Sequence, residues 1–414
     1  MREGIRLENL LPAEGVGTVD AVGPLEVLVG VPALNHARSL ARVVDALATG
    51  LAGAFPAGKS AVLVDDGGSR DGTVEAISTW KQSAPSATVA CVRLPGPPQW
   101  GGAMLTALAA ARRLSVRACG LVAADLISVA PEWVERLLGP VLRGDADYVS
   151  PAYSRTLTEG TLTTNLLAPL TRALYGKRIQ QLVGGCAGLS GGLVDRLLAG
   201  EGWEHEVAGH GVEVRLATEA LVSGGTVVET HLGSKQVAPG LAPPDLTTTL
   251  VGIVGPLFRL MERHSAVWQE VRGSRPVGLT GEPPAVLGAA GEARVDRMVR
   301  AFRLGLKDLL PVWEQIMPEE TLGRLYPLGL LGPDEFRFPP SVWARVVPDF
   351  AVAYHERRLA RDHLLRALIP LYLGRVAAFL LETQAGPPSR IAQVLETIGL
   401  AFEAEKESLV ARWR

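Results

Sequence analysis

Three polar clusters each close an apolar run, and each carries side chains suited to holding a small polar ligand. Asn35 ends LEVLVGVPALN, Asp65–Ser69 end SAVLVDDGGS, and Asp125 lies near the end of ACGLVAADL. Amide, carboxylate and hydroxyl groups offer donors and acceptors. Gly67 and Gly68 let the backbone turn sharply and approach closely. Further along, Glu213 stands in HGVEVRLATEAL beside His210. A carboxylate there can orient a hydroxyl or act as a base. It also lies one step from the inward stripe of Val212, Leu216 and Ala220, so a surface acid is the competing reading. Arg172 and Tyr175 share PLTRALYG; an arginine fork either binds a carboxylate bidentately or pairs within the fold. Cys186 has no histidine on its segment and reads as a small buried residue. Trp203-Glu204-His205-Glu206 is polar and aromatic enough to line a pocket, and equally ordinary as a loop.

These groups need elements to position them. Residues 25–34, 60–69, 88–95, 118–126 and 145–155 read as strands, several of them continuous apolar runs. Helical spacing separates them at 36–51, 70–82, 104–116 and 131–144. This alternation predicts an α/β fold with a doubly wound sheet. Ligands bind beyond the carboxyl ends of such strands, where Asn35, Asp65–Ser69 and Asp125 all fall. Residues 1–24 read as a leader strand or arm. The first domain is expected over 25–272, GSRPVGLTGEPPA (273–285) as a linker, and 286–414 as a mostly α-helical C-terminal domain.

Of the 414 residues, 47% are hydrophobic and 20% charged, and the net charge is −2. That suits a chain with a large core and argues against a nucleic-acid binder. The three cysteines, Cys91, Cys119 and Cys186, form no CxxC pair, so a reducing cytoplasm is expected. No secretory leader and no membrane-spanning segment are expected. The apolar stripes at 297–316 and 355–384 are expected to pack on the first domain or on a second subunit, which leaves a homodimer open. Abundant Ala, Gly, Pro and Arg with scarce Lys reads as the bias of a high-GC bacterial genome.

VGVPALN (29–35) followed by VDDGGSRDGT (64–73) resembles the opening of family 2-type GT-A glycosyltransferases. PLTRALYGKRIQQLVGG (169–185), GLSGGLV (188–194), HGVEVRLATEAL (210–221) and HLGSKQ (231–236) resemble bacterial glucosylglycerate and glucosyl-3-phosphoglycerate synthases. The likeness spans roughly 25–270. It implies a Rossmann-like nucleotide-sugar-binding domain, a nucleotide sugar as donor, and hexose transfer to a small hydroxylated acceptor such as glycerate or a phosphoglycerate. By this resemblance Pro32, Leu34 and Asn35 line a uridine pocket, Asp66 faces the base and Ser69 lies beside it. Asp125 is the metal and catalytic acid, Glu213 the acidic group near the acceptor, and Arg172, Lys177 and Arg178 are candidates for acceptor or phosphate contacts.

The pattern also departs from the family. Its Asp-x-Asp becomes Ala123-Ala124-Asp125, its metal-binding His aligns with Val237, its Asn-Glu is Asn35-His36, and its Gly-Gly-Asp is Gly184-Gly185-Cys186. No lysine stands near Trp100-Gly101-Gly102, where a phosphate contact is expected. One carboxylate makes a poor site for the Mg²⁺ or Mn²⁺ that the resemblance implies. Three alternatives stay open. Basic residues (Arg155, Lys177, Arg178, Lys235) replace the metal; Asp125 binds metal weakly with His231 or Asp245; or the chain is a catalytically degenerate relative acting as a ligand-binding or scaffold protein.

Overall fold

The computed structural model describes residues 10–55, 59–84, 88–95, 99–203, 206, 209–239, 245–285, 294–384 and 386–413. Two compact units emerge from the contacts: 1–153, 183–244 and 277–283 form one, and 154–182, 245–276 and 284–414 the other. This division departs from the expected boundaries. Residues 154–182 and 245–272, expected in the first domain, fall with the C-terminal helices in the second unit.

In chain order, α1 (Ala13–Asp20) precedes β1 (Val27–Ala33), α2 (Leu40–Ala54), β2 (Ser60–Asp66), α3 (Thr73–Ser83), β3 (Val89–Arg93), α4 (Trp100–Arg113), β4 (Ala118–Val122), α5 (Glu132–Leu142) and β5 (Tyr148–Ser154). α6 (Ala168–Tyr175) and β6 (Lys177–Arg178) belong to the second unit. The first resumes with β7 (Cys186–Ser190), α7 (Gly191–Ala199), α8 (Gly211–Val222) and β8 (Val227–Ser234). After α9 (Leu246–Arg263), α10 (Ser265–Trp268) and β9 (Arg275–Pro276) of the second unit comes β10 (Gly278–Thr280).

The first unit holds an eight-stranded sheet in the order β10-β8-β5-β7-β4-β1-β2-β3. β3, β2, β1 and β4 run parallel, and β7 enters antiparallel between β4 and β5. Val29, Val31, Val62 and Val64 turn one face toward Val43 and Leu47 of α2 and Trp133 and Leu137 of α5. Both faces of these strands are covered, so they read as unbroken apolar runs. A Cβ at Gly188 would sit 2.1 Å from the Leu137 carbonyl, so α5 lies against β7 at a distance that only glycine permits.

Two expectations fail locally. The N-terminal arm contains α1, with Leu10 and Val19 buried and Gly15 lying close to Val92 of β3. The Gly/Pro-rich 273–285 segment is no free linker, because β10 pairs in parallel with β8. A three-residue edge strand leaves almost no periodic signal.

Asp65 occupies the α4-facing side of β2. Both its carboxylate oxygens are buried without a hydrogen-bond partner among the described residues, and a Cβ at Gly30 would meet Oδ2 at 3.3 Å and Ala107 Cβ at 2.4 Å. Burial drives this carboxyl well above the ordinary carboxylate range. The folded state therefore keeps a proton that the unfolded chain releases near about pH 3.9, and stability falls as pH rises above that point. Asp65→Val should raise stability at pH 8 by on the order of 1–3 kcal/mol. It should also flatten the pH dependence of urea unfolding between pH 5 and 8. A less stable variant would contradict this.

The second unit continues with α11 (Val295–Asp308), α12 (Leu310–Ile316), α13 (Glu319–Leu325), α14 (Pro340–His355), α15 (Arg361–Ala367), α16 (Ile369–Thr383), α17 (Pro388–Ala404) and α18 (Lys406–Arg412). One stretch, Arg361–Thr383, is long and apolar enough to cross a membrane, where the sequence was expected to hold none. Most of it is buried within the unit, and a core helix is apolar all round for that reason.

Candidate functional site

The carboxyl ends of β1 and β2 are laced together. Asn35 takes φ +60°, a left-handed conformation that asparagine tolerates better than most residues. Its N–H donates to Ser69 Oγ at 2.8 Å, and its Oδ1 accepts from Arg70 N–H at 2.9 Å. Asp66 is fully buried and accepts from Ser69 N–H at 3.1 Å. It also pairs with Arg93, Nε to Oδ2 at 3.4 Å, while Arg93 donates to the Ser69 carbonyl at 2.8 Å. The Arg93 side chain stays 55% exposed. It brings positive charge to these strand ends, a feature that no sequence motif flagged.

β4 delivers Asp125 alongside. Ala124 N–H donates to the Pro32 carbonyl at 3.1 Å, and Ser39 Oγ to the Ala124 carbonyl at 2.7 Å. Leu34 N–H donates to His36 Nδ1 at 3.0 Å. Because Nδ1 accepts, the neutral ring carries its proton on Nε2. Burial holds His36 below the ordinary histidine range, although Asp125 and Asp71 pull the other way. Burial also raises the Asp125 carboxyl; His36 and Lys235 oppose that rise and Glu213 adds to it. Trp100 bridges the region, its ring 6.0 Å from His36 and 6.4 Å from His210.

Glu213, in the first turn of α8, is buried with both oxygens engaged. Oε1 accepts from Gly185 N–H at 2.8 Å, and Oε2 lies 2.9 Å from His210 Nδ1. Burial alone would raise this carboxyl, but His210, Lys235 and the Gly185 N–H outweigh it and hold Glu213 low. Burial works against a charge on His210, yet Glu213 leaves its pKa raised. The pair is thus an ionised acid bracing a histidine, with the histidine as the exposed member: its side chain is 42% exposed against 7% for Glu213. Lys235 Nζ stands 5.8 Å from the Tyr153 ring centroid. Tyr153 Oη donates to the Gly184 carbonyl at 3.1 Å, and lies 3.1 Å from Cys186 Sγ. Burial pushes the Cys186 thiol up to about 12, which leaves it no nucleophile at neutral pH.

The donor set fits a divalent cation poorly. Ala123, where the resemblance implies a first carboxylate, lies in the hydrophobic core, and its N–H donates to the Gly185 carbonyl. Val237, where a histidine is implied, forms a β-bridge with Leu126, and Ala238 N–H donates to the Asp125 carbonyl at 2.7 Å. The aligned position is therefore beside Asp125, but its side chain is aliphatic. No cluster of three or more His, Cys, Asp or Glu able to hold a metal exists among the described residues. Of the alternative ligands, His231 lies on β8, and Asp245 caps α9 of the second unit by accepting from Thr248.

Pro32, Leu34, Asn35, Asp66, Ser69, Asp125 and Glu213 thus all belong to the first unit, on strand ends, loops and a helix start that hydrogen bonds link. Arg172, Lys177 and Arg178 belong to the second. Arg172 is nearly buried; it donates to Glu396 at 2.7 and 2.9 Å and to Glu403 at 2.7 Å. Its fork is spent on pairing within its unit. Arg178 donates to Ser274 Oγ at 2.8 Å, and β6 pairs with β9. Arg155 also lies in the second unit. Glu204 and His205, candidates for a pocket wall, fall outside the described residues.

Residues 28–194 match the sequence model of glycosyl transferase family 2. Over that stretch the chain is family 2-like, and its layout is a GT-A-type α/β sheet with a mostly helical C-terminal region. Among curated proteins none matches. Similar solved structures include glucosyl-3-phosphoglycerate synthase from Mycobacterium tuberculosis in complex with Mn²⁺, UDP and glucosyl-3-phosphoglycerate. It is 22% identical, with a TM-score of 0.44 over 64% of this chain and 85% of that one. The same enzyme with Mg²⁺ and UDP gives 23%, 0.44, 63% and 84%. A further mycobacterial protein gives 24%, 0.43, 61% and 79%.

Proposed function

We propose that the protein transfers a hexose from a nucleotide sugar to a small hydroxylated acceptor, such as glycerate or a phosphoglycerate, in the reducing cytoplasm. The observation that carries this reading is the linkage of the Asn35–Ser69 turns, Asp125 and the Glu213–His210 pair at the carboxyl ends of one sheet. The family match over 28–194 supports it. In such a transfer an acceptor oxygen bonds to the anomeric carbon. The bond from that carbon to the diphosphate oxygen breaks, the nucleoside diphosphate leaves with the electron pair, and the acceptor hydroxyl passes its proton to the neutral form of His210. Arg93, His36 and Lys235 supply positive charge and donors on the nucleotide side; His210, braced by Glu213, suits the acceptor side.

The test is incubation with UDP- or GDP-glucose and glycerate or 3-phosphoglycerate, with Mg²⁺, Mn²⁺ or EDTA, following nucleoside diphosphate release and product by NMR. Release that depends on acceptor is expected. The poor metal donor set favours a second reading, a degenerate binding protein; nucleotide binding without turnover under every condition would select it.

A further inference from the structure

Where the resemblance implies a cation with its ligands, the surroundings of Asp125 offer a different set of groups. Position 123 is alanine buried in the core, and position 237 is valine beside Asp125. The acidic residue expected after Asn35 is His36, whose neutral ring, with Nδ1 accepting from Leu34 N–H, carries its proton on Nε2 and interacts electrostatically with Asp125. Residues 235–238 run antiparallel to 125–128, held by Gln236 N–H to Ser128 Oγ at 3.0 Å and by Ala238 N–H to the Asp125 carbonyl. That segment brings Lys235 into the electrostatic field of Asp125, Glu213 and His210. Its ammonium makes no ion pair and no hydrogen bond among the described residues. A lysine held near two carboxylates yet paired with neither keeps its three donors for an incoming anion.

We propose that the site around Asp125 holds the diphosphate of a nucleotide through the Lys235 ammonium and the His36 Nε2–H, with no divalent cation as an obligate partner. The proposal rests on the nucleotide-binding reading above and adds to it how the leaving group is held. Hard divalent cations demand several oxygen ligands at once; a point charge on a flexible stem and a fixed neutral donor need none.

Calorimetric titration of the full chain with UDP and GDP, in EDTA and in millimolar MnCl₂, tests it. Wild-type affinity for the preferred nucleotide should agree within about twofold between the two conditions. Lys235→Ala should weaken that nucleotide on the order of ten- to a hundredfold, and Lys235→Arg should restore most of the loss. The corresponding nucleoside, followed by saturation-transfer NMR, should bind both proteins equally, which separates a lost phosphate contact from a damaged pocket. Binding that appears only with Mn²⁺ overturns the proposal and leaves nucleotide recognition intact. So does a Lys235→Ala variant that loses nucleoside and nucleotide alike. Absence of any nucleotide binding with or without the cation overturns the underlying reading, and this proposal with it.

Discussion

Glu213→Ala should lower turnover of sugar transfer by about 10²- to 10³-fold while nucleotide affinity changes less than about threefold. The carboxylate is buried, and neither oxygen is free to meet a substrate: one accepts from Gly185 N–H, the other braces His210. Removing it leaves the Gly185 N–H unpaired, at a cost on the order of 1–3 kcal/mol, and frees the His210 ring to rotate away from Trp100. Glu213→Gln is the finer probe. It keeps an acceptor for Gly185 but removes the negative charge that leaves the His210 pKa raised. The kcat/KM limb set by His210 should therefore move to lower pH in the glutamine variant. Unchanged turnover in a folded Glu213→Ala protein would reduce the residue to a structural peg.

Asp66→Ala should cost about ten- to a hundredfold in nucleotide affinity, measured by calorimetry, together with a loss of thermal stability. The side chain is fully buried, so its effect runs through what it holds. It fixes the Ser69 N–H and the Arg93 guanidinium, and Ser69 Oγ in turn accepts from Asn35 N–H. Losing the carboxylate unties both strand-end turns and frees an arginine that is already half in water. Asp66→Asn retains an acceptor for Ser69 and should keep most of the stability while losing the attraction to Arg93. Equal affinity in the alanine variant and wild type would show that the turn does not shape the nucleotide pocket.

The parallel half of the sheet was legible because β1, β2 and β4 are buried on both faces, which prints them as apolar runs with polar ends. Asn35, Asp66 and Asp125 followed from that pattern. Other features are products of tertiary packing. Arg172 stands in a stretch that reads as part of the first domain, yet its partners Glu396 and Glu403 lie more than two hundred residues downstream. β10 is three residues of edge strand inside a Gly/Pro-rich stretch. The Arg93–Asp66 pair and the Trp100 rings between His36 and His210 link residues with no fixed spacing, so no motif announces them. His36 follows the left-handed Asn35 directly, which lets its ring turn back onto the Leu34 N–H two residues earlier, a local contact with no motif of its own.

The hydrogen bonds among the loops have a thermodynamic consequence. Asn35 to Ser69, Arg70 to Asn35, Ala124 to Pro32, Ala123 to Gly185 and Ala238 to Asp125 already tie these strand ends and loops to one another. An arriving nucleotide has little loop to order, so little of its contact energy is lost to immobilising the host. Association of this kind should proceed close to rigid docking, with affinity differences among nucleotides arising mainly in how slowly each departs.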